Sequence, residues 1–132
     1  MVPAHFRLAY AFNQTRQAFL ASRLEVADTH WRRLKGLIRT ASAEFNSGKG
    51  LWIVPCHGVH TMAMGYAIDV IYLNEQRVVV HVEENVKPWW FTPLRMDAAT
   101  VIELPCHTVW STGTRIGDEI EIVVDETAGL QA

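Results

Sequence analysis

The stretch from residue 50 to residue 73, GLWIVPCHGVHTMAMGYAIDVIYL, contains an apolar segment, a polar turn and a second apolar segment. The second apolar segment is rich in β-branched residues, which favour a strand over a helix. The polar turn contains Cys56, His57, His60 and Thr61, and Asp69 follows in the second apolar segment. Because no other part of the chain groups so many reactive or hydrogen-bonding side chains, we place the candidate functional site here.

The length and composition indicate one globular domain. The chain has 132 residues, which is enough to bury a single core without disulfides or metals. Apolar residues make up 49% and charged residues 20% of the chain, a composition that argues against disorder. The formal charge of −2 provides no long-range attraction to nucleic acid or anionic membranes. We therefore expect no nucleic-acid partner.

The sequence contains no uninterrupted apolar run of about 18 residues, the length that a membrane-spanning helix needs. The N-terminal segment does not fit a signal peptide, because its best apolar run, residues 8–12, is short and is followed by Asn13 and Gln14. We therefore expect a cytoplasmic protein with no membrane span. Cys56 and Cys106 should then be thiols, and a disulfide between them is the structural alternative.

Apolar segments with alternating or β-branched patterns predict six short strands. Residues 30–37 have apolar residues at helical spacing and predict one short helix. Many turns separate these elements, so we predict a mainly β fold, either a small barrel or a jelly-roll-like sandwich. The expected organisation is an N-terminal arm at 1–18, one β domain at 19–126 and a tail at 127–132. The predicted strands are residues 19–26, 51–54, 67–73, 78–82, 99–104 and 119–124.

Residues 87–95, KPWWFTPLR, are predicted to form a loop. Pro88 and Pro93 exclude a regular helix and a central strand. Three adjacent aromatic residues between two prolines suggest a lid that folds over an apolar surface. Trp89 is the residue we expect to close the candidate site.

Several short motifs occur in the order found in one family. They are Gly36-Leu37, His60-Thr61, Met64, Ile68-Asp69-Val70, Glu103-Leu104-Pro105 and Gly117-Asp118. Over residues 19–124 this set resembles the DUF192 family of uncharacterised bacterial and archaeal proteins. The resemblance implies a small mainly β domain of barrel or jelly-roll type and implies no activity. Where members tend to carry Ala-Gly after the ELP motif, this chain has Cys106-His107. Either the turn differs here or His107 is strained.

Two kinds of reactive site are compatible with the residue types. Cys56, His57, His60 and Cys106 are potential zinc ligands if the two Pro-Cys-His turns meet. Their spacing lacks the C-x2-C or H-x3-H pattern of structural zinc sites, so we expect no metal or other cofactor. A cysteine beside a histidine also has the residue types of a nucleophilic pair, which Asp69 or Glu103 would orient.

Asp69 and Glu103 each interrupt an apolar strand. A carboxylate buried there costs several kcal/mol unless it is hydrogen-bonded or paired. The structural explanation for Asp69 is an acceptor for backbone amides or for Thr61, and the functional one is a ligand-facing group beside His60. Glu103 has the same two explanations. The two carboxylates could pair with Arg33 or with each other, and in the second case one pKa would rise.

These observations predict a domain that binds a small molecule, such as a sugar, or a partner protein. The site would lie in a polar pocket under the 87–95 loop, with the polar floor formed by Asp69 and Glu103. The alternatives are a hydrolase with His60 as base and Asp69 as its orienting partner, a metal-binding protein, and a purely structural module. The sequence leaves open whether the protein is an enzyme. The predicted ligand-binding residues are His60, Thr61, Met64, Asp69, Trp89 and Glu103.

Overall fold

The computed structural model describes residues 8–27, 46–61 and 65–125, which form seven strands and one short helix. The mainly β class predicted from the sequence is confirmed. The helix predicted at 30–37 lies outside the described residues, and the short helix near the C-terminal end was not predicted. The elements are β1 Leu8–Asn13, β2 Ala18–Ala27, β3 Lys49–Ile53, β4 Ile68–Leu73, β5 Val79–Val86, β6 Thr100–Pro105, α1 Thr108–Thr112 and β7 Ile120–Asp125.

All seven strands belong to one sheet in the order β5-β4-β6-β3-β2-β1-β7. β2 and β3 are parallel, and the other neighbours are antiparallel. The sheet curls so that the two edge strands meet at one end, where Val79 N donates to Asp118 O at 2.9 Å and Gly117 N donates to Val79 O at 2.8 Å. Beyond this contact the ladder between β5 and β7 does not continue, so the described sheet is open rather than a closed barrel.

β1 places part of the predicted N-terminal arm inside the sheet. It pairs with β2 on one side and with β7 on the other. Ala9 and Ala11 are buried, whereas Tyr10 and Phe12 are partly exposed. The alternation is therefore between small buried residues and large outer ones. A search for large apolar residues on the buried face does not detect this pattern.

The sheet has two buried faces in its central part, and all six residues of β4 are buried. The inner face lies within the curl, and its core includes residues of every strand, such as Ile71 and Leu104. The outer face lies on the other side of the central strands and includes Val70, Tyr72 and Val101. Because side chains alternate along a strand, neighbouring residues of β4 and β6 project to opposite faces.

His107 occupies the turn at which the sequence departs from the family pattern. Its φ is 75° in the left-handed region, directly before α1. Histidine is among the residues that adopt this region more often than most, although glycine does so at lower cost. The second of the two predicted explanations therefore holds, because the turn that favours glycine is kept and His107 carries its conformational cost.

Candidate functional site

Two segments cover the outer face as an irregular antiparallel pair, residues 57–61 and 89–95, which we call the aromatic ribbon. Backbone hydrogen bonds join them along their length. Arg95 N donates to His57 O at 2.9 Å, and Thr61 N donates to Trp90 O at 2.8 Å. The prolines that exclude a regular strand thus leave a short paired segment between them, which includes an isolated bridge from His60 to Phe91.

Thr61 is the central anchor of the ribbon. It is fully buried, and its hydroxyl donates to Lys87 O at 2.6 Å while accepting from Trp90 N at 2.8 Å. Its own carbonyl accepts from Trp89 N at 2.9 Å. The side chain and backbone of Thr61 are therefore committed to holding the 87–95 loop, which differs from the predicted role as a ligand contact.

Three further residues fix the ribbon on the sheet. The Thr92 hydroxyl accepts from Val59 N at 2.9 Å. Tyr72, on the outer face of β4, donates its hydroxyl proton to Pro93 O at 2.7 Å. Gly58 lets the two segments approach closely, because a Cβ there would lie 2.8 Å from Pro93 O. The loop backbone is thus held by the rigid part of the fold.

The large apolar side chains of the ribbon and its continuation point outward. Trp89 and Trp90 are each 64% exposed, and Phe91 is 67% exposed. Leu94 and Met96 are also exposed. The loop backbone covers the outer face as the lid prediction required, but its aromatic rings face solvent instead of closing a site beneath them. Trp89 reaches this orientation with φ at 63°, a conformation that is uncommon for a bulky side chain.

His60 is exposed beside these rings, and its ring centroid lies 6.2 Å from that of Phe91. Its backbone faces Phe91 across the ribbon. His60 therefore belongs to the same surface as the exposed aromatic side chains. Of the predicted ligand-binding residues in the described part of the chain, the structure brings together His60, Thr61 and Trp89. Met64 lies outside the described residues.

Asp69 lies on the inner face, where it pairs across the ladder with Leu104. It is fully buried, and its two oxygens accept from Asn85 N and Val109 N, both at 2.9 Å. The first amide lies in an irregular part of β5, and the second lies in the first turn of α1. Asp69 is thus the buried acceptor for backbone amides that the structural explanation predicted, and the geometry does not form a His60–Asp69 pair.

Glu103 lies on the opposite face of the sheet from Asp69, between Val70 and Leu51. Burial raises the pKa of Glu103 to about 8, and no cation or donor among the described residues offsets that effect. Tyr66 is the neighbouring titratable group, and burial together with the charge of Glu103 raises the pKa of Tyr66 to about 12. Because the sheet separates the two carboxylates, the predicted pairing of Asp69 with Glu103 does not occur. Arg33, the alternative partner, lies outside the described residues.

The two Pro-Cys-His turns lie at opposite ends of β6. Cys56 N donates to Ala99 O just before β6 begins, and Cys106 follows the last residue of β6. Six strand residues span about 20 Å, so neither a shared metal site nor a disulfide between the turns is compatible with the fold. In the described ranges no group of three histidine, cysteine or acidic residues has the arrangement of a metal site.

The thiols do not show the features of a nucleophile. Burial, and secondarily the charge of Asp69, raise the pKa of Cys106, whereas a reactive thiolate needs a lowered one. Cys56 Sγ donates to Gly58 O at 3.1 Å. His57 uses Nδ1 to donate to Ala98 O at 2.7 Å. Each adjacent Cys-His pair is thus used in local hydrogen bonds or left at the surface.

A separate open cleft of about 440 Å³ lies at the end of the sheet where the β4–β5 turn meets the start of β6. Sequence reasoning did not identify this cleft, because its walls come from three distant segments of the chain. In the sequence, the turn at Asn74 between the predicted strands 67–73 and 78–82 was treated as a connection between strands and not as a site. The lining includes Pro55, His57, Asn74, Gln76, Asp97 and Ala99.

These features define a small mainly β domain with an open, curled sheet and a fixed aromatic loop on its outer face. The chain belongs to the DUF192 family, because the model described as "Uncharacterized ACR, COG1430" matches residues 11–122. The resemblance found in the sequence is thereby confirmed.

Two UPF0127 proteins are similar to this chain in sequence. A UPF0127 protein of Thermococcus sibiricus is 30% identical over 119 residues, covering 86% of this chain and 75% of that protein. A Pyrococcus furiosus UPF0127 protein is 35% identical over 63 residues, covering 48% of this chain and 53% of its own length.

Two crystal structures share the fold. A protein of unknown function from Novosphingobium aromaticivorans has a TM-score of 0.72 at 19% identity, covering 86% of this chain and 83% of that one. A candidate transcription regulator from Sinorhizobium meliloti has a TM-score of 0.75 at 20% identity, covering 98% of both chains. At these identities the likeness shows the fold alone. No helix in the described part of the chain is long and apolar enough to cross a membrane.

Proposed function

We propose that this protein is a binding module whose aromatic ribbon docks on a partner protein. The observation that carries the proposal is the exposure of three consecutive aromatic side chains, 64% for Trp89, 64% for Trp90 and 67% for Phe91. Contiguous exposed apolar surface on a soluble domain is typical of an interaction site. Tryptophan is also among the residues that contribute most to binding energy at interfaces.

The fixed backbone of the ribbon supports this proposal. Ordering a loop on binding subtracts from affinity, so a loop that is already ordered binds more tightly for the same contacts. Here Thr61, Thr92 and Tyr72 hold the backbone through buried or partly buried hydrogen bonds. These hydrogen bonds hold the backbone in a position that leaves the aromatic side chains of the ribbon in solvent. Such an arrangement favours binding more than stability.

A partner protein fits this surface better than a small molecule. Pockets for small molecules are concave and bury most of the ligand among their lining side chains. Trp89, Trp90 and Phe91 instead have most of their surface in solvent. A flat partner surface can cover such rings together with Leu94 and Met96, which continue the exposed apolar surface.

The test compares a ribbon variant with a control variant elsewhere on the surface. Trp89→Ser/Trp90→Ser removes the centre of the proposed surface, and Trp110→Ser removes another tryptophan that is 80% exposed on α1. Proteins captured from an extract of the producing organism are quantified for each, and any partner that depends on the ribbon is purified and titrated. We expect at least a 100-fold weaker Kd for the ribbon variant and an unchanged Kd for Trp110→Ser.

The proposal fails if no protein depends on the ribbon while both variants remain folded. It also fails if both variants lose the same partners, because that result would reflect general surface hydrophobicity. If soluble sugars instead give a saturable change in tryptophan fluorescence that the ribbon variant lacks, the ribbon binds a carbohydrate and the protein-partner proposal is replaced.

A further inference from the structure

The open cleft at the end of the sheet begins where the aromatic ribbon ends. His57, the first residue of one ribbon segment, lines the cleft, and so does Met96, which directly follows the other segment. Met96 is 79% exposed, so it extends the exposed apolar surface to the edge of the cleft. A partner segment that lies along the ribbon and continues past Met96 therefore reaches the cleft.

Hydrogen bonds hold both walls of the cleft in place. On the ribbon side, His57 Nδ1 donates to Ala98 O at 2.7 Å. On the hairpin side, Asn74 Oδ1 accepts from Gln76 N at 3.0 Å and from Val78 N at 2.9 Å. A preformed cleft of this kind need not be ordered when a group binds in it, which favours affinity.

The side chains that line the cleft include two carboxylates, Glu75 and Asp97, and no lysine or arginine. Asp97 accepts two hydrogen bonds from Arg95, at 3.0 and 2.8 Å. A carboxylate has about four lone-pair sites, so Asp97 can accept from further donors. Glu75 forms no ion pair with a described residue. Two carboxylates and one guanidinium therefore leave one negative charge at the cleft without a partner.

The exposed aromatic rings favour the same sign of charge on the partner. The face of a tryptophan ring attracts lysine and arginine cations within about 6 Å, and Trp89 and Trp90 are each 64% exposed. Lys87 lies at the other end of the ribbon, where its carbonyl accepts from the Thr61 hydroxyl. A basic group of the partner is thus favoured towards the cleft and opposed near Lys87.

We propose that the partner of the aromatic ribbon carries a lysine or arginine beside its apolar docking surface, and that this basic side chain binds in the cleft. Glu75 and Asp97 accept its N–H donors, and its apolar stem packs on Met96. The proposal rests on the proposed function, because the ribbon supplies the apolar part of the same interface. It adds the sign of the partner's charge and the end of the ribbon at which that charge lies.

The test selects peptides on the folded protein. A phage-displayed library of random dodecapeptides is panned on the unmodified protein, on Trp89→Ser/Trp90→Ser and on Glu75→Lys. Glu75 is exposed and forms no ion pair with a described residue, so its replacement should keep the fold, which an unchanged Tm checks. Sequences recovered on the unmodified protein but not on the ribbon variant report the chemistry of the partner.

Among ribbon-dependent sequences we expect lysine and arginine to be enriched about 3-fold over the unselected library, the size of effect that an exposed ion pair gives. Glu75→Lys should replace this preference with one for aspartate and glutamate, because the charge at the cleft changes sign. Glu84→Lys is the matched control, since Glu84 is exposed in the second half of β5, away from the cleft. This variant should keep the preference for basic residues.

A synthetic copy of one selected peptide gives the affinity. Glu75→Gln should weaken its Kd about 2- to 5-fold, and added salt should reduce that difference. The proposal is overturned if ribbon-dependent peptides have no excess of basic residues, or if Glu75→Lys selects the same sequences as Glu84→Lys. Either result would leave the ribbon as a docking surface. If no peptide depends on the ribbon, the proposed function itself fails.

Discussion

Asp69 and Glu103 lie on adjacent strands and are buried almost equally, with exposed fractions of 0% and 4%. Their surroundings differ. Asp69 accepts two backbone amides on the inner face. For Glu103, on the outer face, burial is the one effect that the described residues exert on its pKa. Among the described residues, Asp69 therefore has two hydrogen-bond donors, whereas the pKa of Glu103 is raised by burial.

A buried carboxylate can therefore either hold elements of the fold together or have a raised pKa of the kind found at functional sites. Asp69 joins β5 and α1 to β4 through the two hydrogen bonds that it accepts, so it is part of the fold. Glu103 keeps its proton near neutral pH because nothing among the described residues stabilises the ionised form. A raised pKa of this kind occurs at functional sites, although burial alone also produces it.

The largest effect is expected from Asp69→Ala. The change leaves Asn85 N and Val109 N without their acceptor, and each unsatisfied buried amide costs about 1–3 kcal/mol. We expect the free energy of unfolding in urea to fall by about 3–5 kcal/mol. A loss below about 1 kcal/mol would show that water or backbone adjustment replaces the carboxylate as the acceptor for these amides. Asp69 would then not be the structural carboxylate that distinguishes it from Glu103.

Glu103→Gln is expected to change the pH dependence of stability. The pKa of Glu103 is about 8 in the folded state against 4.5 for the ordinary side chain. Between these values the folded state holds a proton that the unfolded state has released, so stability falls as pH rises, and the fall is complete above the folded pKa. Glutamine has no such proton, and the variant should lack this decline.

We expect Glu103→Gln and the unmodified protein to have similar unfolding free energies near pH 5. Near pH 9 the variant should be more stable by roughly 2–4 kcal/mol, given 1.36 kcal/mol for each pKa unit. Urea titrations at several pH values measure both curves. Parallel curves would show that the pKa of Glu103 is not raised in the folded protein, and this prediction would be wrong.

A smaller effect is expected from Thr61→Val. The substitution keeps the shape but removes the hydroxyl that bridges Lys87 O and Trp90 N, and we expect a loss of about 1–2 kcal/mol in stability. Hydrogen exchange at Trp89 and Trp90 should accelerate more than in the sheet, because their amides are held by Thr61. Ser111→Ala is the control, since Ser111 is exposed and lies away from the ribbon.

The smallest effect is expected from Asp97→Asn. Asp97 is an exposed carboxylate paired with Arg95 at 2.8 Å, and exposed pairs of this kind contribute little to stability. The unfolding curve of the variant should overlay that of the unmodified protein at pH 7. A clear loss of stability would mean that the Arg95–Asp97 pair helps to hold the ribbon. Exposed and buried carboxylates would then differ less in their contribution to stability than their environments suggest.

Much of the fold was accessible from the sequence because strand patterns are local. Residues 19–26 and the hairpin around Asn74 were predicted close to their observed positions, as β2 and as β4 with β5. β1 was missed because its buried positions are alanines. α1 was missed because it is five residues long and its first turn is held by Asp69, some forty residues earlier, which local patterns do not show.

The candidate site was less predictable because it depends on which face each strand presents. Alternation along β4 places Asp69 on the same face as Ile71 and Leu73, but it does not indicate that His60 and Thr61 lie over the opposite face. Thr61 was recognised as polar and close to the site. Its actual role, holding the loop, follows only once residues 57–61 are paired with residues 89–95.

The position of β1 between β2 and β7 has a consequence for how the protein is made. Leu8 pairs with Asp125, so one edge of β1 has no partner in the sheet until β7, more than a hundred residues later in the chain, has left the ribosome. At 5–20 residues per second that interval lasts several seconds or longer, and an unpaired strand edge can pair with other chains. Interrupted translation that omits β7 would therefore yield an aggregation-prone fragment rather than a smaller folded domain.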